Sequence, residues 1–85
     1  MLEWNDDWRE ELKRDDYEVW IRLADCRNTA NDLRKIAKLM WKYNKSHSKE
    51  DCLDRTIEWI TDWNNQVSLI PSDKEFNSIL EYMGE

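Results

Sequence analysis

The chain has 85 residues, a net charge of −6, and 40% hydrophobic and 38% charged side chains. One glycine, one proline and six tryptophans exclude collagen, a glycine-rich linker and a turn-dense β-sandwich, and describe a chain that can bury one core. No apolar run approaches the roughly 18 residues a membrane span needs. The residues from Met1 to Asp6 lack the regions of a signal peptide, so a soluble, cytoplasmic protein is expected.

In chain order, the first helical segment runs from about Asp6 to Asp25. Trp4, Trp8 and Leu12 recur every four residues, and Val19, Trp20, Leu23 and Ala24 continue the stripe. Asp15-Asp16 interrupts it, which predicts a kink or a second helix beginning near Asp16. Asp6 and Asp7 suit the N-terminus, where carboxylates cap free amides. A further helix should start at Asn28 or Thr29 and end near Tyr43, with Ala30, Leu33, Ile36, Ala37 and Met40 on its apolar face. Ser48 and Asp51 form a weak capping box for the next helix, whose stripe is Leu53, Ile57 and Ile60. After a break from Asn64 to Pro71, Ser72 and Glu75 form a full capping box. Phe76, Ile79, Leu80 and Met83 then recur at helical spacing, with Gly84 as C-cap. The expected fold is all-α, a compact bundle of four to five short helices. It is one structural domain, with an acidic, Trp-rich helical segment over 1–25 and the remaining helices over 26–85.

Catalytic and cofactor chemistry finds no foothold. Cys26 and Cys52 are too few and too far apart for a disulfide framework or a zinc site, and His47 is the only histidine. They read as two reduced thiols. The lone glycine excludes phosphate-cradling loops, and Glu10-Glu11 and Asp15-Asp16 read as solvated charge. We expect no metal, no cofactor and no enzymatic activity.

The charge is unevenly spread. Residues 1–21 carry a net −5, residues 22–49 a net +6 and residues 50–85 a net −7. Projected at about 100° per residue, Arg27, Arg34, Lys35, Lys38, Lys42 and Lys45, with Asn31, share an arc of roughly 100° on the 29–43 helix. Trp41 borders that arc. The Arg34, Lys38, Lys42 ladder places like charges four apart, which costs a few tenths of a kcal/mol per pair. Three readings are open for this ridge. It is a solvated face, it is covered by acidic helices, or it binds a phosphate chain with Trp41 as a platform for a base. Trp20, Trp59 and Trp63 are expected in the core. Trp4 and Trp8 are either a lid over the bundle or exposed anchors for a protein partner.

The order Arg27-Asn28, Leu33, Ile36-Ala37, Ser48-Lys49-Glu50, Ile57-Glu58-Trp59-Ile60, Trp63-Asn64, Pro71, Glu75-Phe76 and Ile79-Leu80 resembles the primase C-terminal helical domain. That domain follows the catalytic core in plasmid, phage and mobile-element primase–polymerases, and the resemblance spans residues 26–85. It implies a bundle that helps a primase grip single-stranded DNA and the initiating nucleotide. Arg27 and Asn28 would then sit at a helix start, where amides and a guanidinium meet phosphate; a plain N-cap is the other reading of Asn28. The expected function is a non-catalytic accessory subunit for replication priming that binds single-stranded DNA template and a primase or polymerase partner. The alternative is an acidic protein–protein interaction module docking through Trp4 and Trp8.

Overall fold

A computed structural model describes residues 3–25, 27–64 and 71–84, with the side chains of all of these except 62–64. Among the described residues five helices follow one another: α1 Trp8–Asp15, α2 Tyr17–Ala24, α3 Ala30–Tyr43, α4 Lys49–Asn64 and α5 Asp73–Met83. Among the described residues there is no strand, so the fold is the all-α bundle that the periodicity predicts. Among those residues, no helix is long and apolar enough to cross a membrane.

The α1–α2 break falls where Asp15-Asp16 predicts it. Trp8 and Leu12 bury one stripe of α1, and Val19 and Leu23 bury that of α2. The positions between them that would face the core carry carboxylates, which cannot be buried without partners. Asp16 therefore leaves helical geometry, at φ −137° and ψ 59°, and both aspartates stay exposed. The caps at the start of α1 differ from expectation. Asp7 occupies the N-cap with helical φ and ψ and makes no side-chain cap bond, because that backbone does not turn its carboxylate toward the first amides. The Asn5 side chain accepts from the Asp7 amide instead, at 2.8 Å.

At the start of α3, Thr29 takes the cap that Asn28 or Thr29 was expected to provide. Its hydroxyl accepts from the Asp32 amide and its own amide donates to the Asp32 carboxylate, closing a capping box. Leu33, Ile36, Ala37 and Met40 then face the core. The helix stops at Asn44, which is 3% exposed. Its side chain donates to the Met40 carbonyl at 2.8 Å and to the Asn5 carbonyl at 3.0 Å, and accepts from the Asn5 amide at 2.7 Å. One amide thus ends α3 and pins the segment before α1 to it.

Ser48 caps α4 by accepting from the Asp51 amide, and Ser72 caps α5 by accepting from the Glu75 amide. The expected full box at α5 is half formed, since Glu75 receives the Ser72 hydroxyl rather than its backbone amide. Gly84 closes α5 at φ +83°, where a side chain would be strained. The break from Asn64 to Pro71 lies largely outside the described residues.

α3 is the central helix, packed against α1, α4 and α5. Trp8 and Leu12 of α1 and Leu53 and Ile60 of α4 close over it, with Ile79 and Met83 of α5 completing the core. The tryptophans are distributed otherwise than expected. Among the described side chains Trp8 is the one fully buried tryptophan, with its ring centroid 5.5 Å from that of Trp59 in an edge-on contact. Trp20 and Trp59, expected inside, are half-buried against the outside of the core, because each sits at the edge of its helix's apolar stripe. The Trp63 side chain lies outside the described residues, as does Cys26. Cys52 is free and buried, and burial together with the charge of Asp51 pushes its thiol up to about 11.

Candidate nucleic-acid interface

The solvent face of α3 carries the candidate site. Arg34, Lys35, Lys38 and Lys42 line it in order, as the 100° projection predicts, and Lys45 follows in the turn after Asn44 ends the helix, where that projection no longer applies. Beside them runs a groove of about 410 Å³, with Lys35, Lys38, Trp41 and Lys45 on one wall and Glu11, Asp15 and Asp16 of the α1 end on the other. An adjoining groove of about 360 Å³ lies among Asn31, Arg34, Lys35 and Tyr82.

The cations differ in what they touch. Among the described residues, Arg34, Lys35, Lys38 and Lys45 have no carboxylate within 4 Å. The Arg34 guanidinium donates to the neutral amide of Asn31 at 2.7 Å, which holds both side chains on the exposed surface. Lys38 Nζ lies 5.2 Å from the ring of Tyr82 on α5. Lys45 Nζ stands 3.3 Å from the Trp41 ring centroid and Lys49 Nζ 5.0 Å from it. The Trp41 face expected to be open to a base therefore carries two ammonium groups, which a stacking base would have to displace or slide beside.

Three of the expected contacts are less open than their sequence positions imply. Lys42 is not a free cation, since its ammonium donates to Glu11 at 2.7 Å and the Tyr43 hydroxyl donates to the same Oε1 at 2.8 Å. Both bonds hold the Glu11 carboxyl below its ordinary range, and Glu11 in turn holds the Lys42 ammonium and the Tyr43 phenol above theirs. Thr29, not Asn28, is the N-cap of α3, and the Asn28 side chain is only 6% exposed, so little of it faces the solvent side of the ridge. Arg27 is exposed but paired with Asp25 at 3.0 Å, a solvated pair at the end of the ridge. Arg22, outside the ridge, is turned onto Asp32.

The anchors expected for a protein partner also resolve. Trp8 is 0% exposed and cannot meet a partner, because the phase that aligns it with Leu12 points both into the core. Trp4 is half-buried, stacked on His47 at 3.7 Å with the Arg55 guanidinium 4.6 Å from its centroid. Trp8 thus belongs to the core, and Trp4 packs against that core while staying half-buried.

No family model, curated protein or solved structure matches this chain. Tyr82 is the site residue that the sequence reading missed. It lies off the Ile79 and Met83 stripe, which marks it as exposed, but only the packing of α5 on α3 brings it to Lys38. Among the described residues, no three of His, Cys, Asp and Glu are grouped to hold a metal ion.

Proposed function

We propose that this protein binds single-stranded nucleic acid along the solvent face of α3, as a non-catalytic accessory subunit in replication priming. The observation that carries the reading is the run of Arg34, Lys35, Lys38 and Lys45 without carboxylate partners among the described residues, with Trp41 and Tyr82 beside it. An unpaired cation row with aromatic rings is what a flexible strand needs: charge for phosphates and π-faces for unstacked bases. A duplex is a poorer match, because its bases are already stacked and its rigid backbone must meet the acidic wall of Glu11, Asp15 and Asp16. The resemblance of residues 26–85 to primase helical domains narrows the proposal to template DNA, with a primase or polymerase as partner.

Fluorescence anisotropy of a labelled oligo-dT tests the reading. Binding in 50 mM salt that is lost in the Lys38→Glu/Lys45→Glu variant supports it, provided the variant keeps its helical circular dichroism. Absence of binding at 50 mM salt by the folded native protein overturns it.

A further inference from the structure

The basic face is one row in the sequence and two clusters in the structure. Arg34, Lys35 and Lys38 gather at the Tyr82 end, while Lys45 and Lys49 gather over Trp41. Lys42 stands between them and is tied to Glu11. That pair is not an ordinary surface ion pair, in which both side chains swing free. The Glu11 side chain is only 12% exposed and is gripped a second time by the Tyr43 hydroxyl. Drawing Lys42 away toward a phosphate would leave the Glu11 carboxylate, only 12% exposed, with one bond fewer, which opposes the transfer. A phosphate beside Lys42 would also approach Glu11 itself.

We infer that the site is bipartite: Lys38 with Tyr82 and Lys45 with Trp41 form two separate phosphate-and-base subsites, and Glu11 silences Lys42 between them. Lys38 lies on α3 and Lys45 in the turn just past its end, on either side of Lys42 in the chain, so one strand that reaches both subsites passes the neutralised pair. Tyr82 is the second stacking platform, contributed by α5. The inference deepens the single-strand reading and rests on it.

Anisotropy with labelled oligo-dT at fixed salt separates the two. Lys42→Gln should bind within about twofold of the native protein, whereas Lys38→Gln weakens binding several-fold. Tyr82→Ala, at an exposed position, should weaken it at least about fivefold. Glu11→Gln should tighten binding by releasing Lys42, and the gain should vanish in Glu11→Gln/Lys42→Gln. A gain that persists in the double variant would mean only the loss of a nearby negative charge, and it overturns the inference. So does a Lys42→Gln variant as weak as Lys38→Gln, or a Tyr82→Ala variant that binds normally; in each case the single-strand reading stands. If the native protein binds no oligonucleotide, both fall.

Discussion

Arg22 and Asp32 meet through two parallel hydrogen bonds of 2.8 Å each, joining α2 to the first turn of α3. The Asp32 side chain is 2% exposed and that of Arg22 33%, so the carboxylate is buried and the guanidinium half-reaches water. The same carboxylate closes the Thr29 capping box. One side chain therefore ends a helix's unsatisfied donors and ties two helices together.

Asp32→Ala removes the reciprocal cap bond, worth about 1 kcal/mol, and strips Arg22 of its partner, which is discounted because Arg22 is partly solvated. We expect a loss of about 2–3 kcal/mol, lowering Tm by roughly 10–20 °C in a domain of this size. Thermal unfolding followed by circular dichroism measures it. A shift near zero would show that α3 needs neither bond.

Stability should also depend on acid. Burial alone would raise the Asp32 carboxyl, but the Arg22 guanidinium and the Thr29 amide outweigh it and hold it below the ordinary range; Glu11 is held down by Lys42 and Tyr43. The folded state thus binds fewer protons than the unfolded chain near roughly pH 4. The stabilisation is complete above the unfolded carboxyl values and drains away as pH falls through the lowered folded ones. Tm should be flat from pH 7 to about pH 5 and drop below about pH 4. Asp32→Asn should start lower and drop less; a parallel drop would assign the acid sensitivity elsewhere.

Asn44 is the clasp of the N-terminal segment. Asn44→Ala removes three hydrogen bonds, one of them the buried bond to the Met40 carbonyl, a cost of about 1–3 kcal/mol. Amide hydrogen exchange should accelerate at Asn5 and at the start of α1 before it does in α3. Uniform acceleration across all helices would instead make Asn44 a part of the global core.

Cys52 is buried with its thiol raised to about 11, so little thiolate exists at neutral pH. Iodoacetamide should leave it unmodified in the native protein and alkylate it in denaturant, as read by mass spectrometry of the Cys52 peptide. Rapid native labelling would contradict the burial.

The fold was largely legible because its determinants are local. Helical spacing announces α3 through Leu33, Ile36, Ala37 and Met40, and a misplaced aspartate pair announces the α1–α2 break. Capping chemistry locates Ser48 and Ser72 within a few residues. The basic ridge from Arg34 to Lys42 was legible for the same reason, being a property of one helix, whereas Lys45 lies in the turn beyond it. What each cation touches was not, since Glu11 and Lys42 are separated by 31 positions in the chain and Tyr82 reaches Lys38 from another helix. Trp8 shows the limit most clearly. Its acidic neighbours leave it open to two readings, lid or exposed anchor, and its alignment with Leu12 decides its burial, because apolar area outweighs the polarity of residues on the opposite face.

The salt dependence of oligo-dT binding tests the central claim most directly. If Arg34, Lys35, Lys38 and Lys45 each meet a phosphate, log affinity should fall against log salt with a slope of about −3, from ~0.7 per neutralised charge on a single strand. Between 50 and 200 mM salt that is a loss of about 50-fold. A slope near zero, or no binding at the lower salt, would contradict the account and leave α3 with only a solvated basic face.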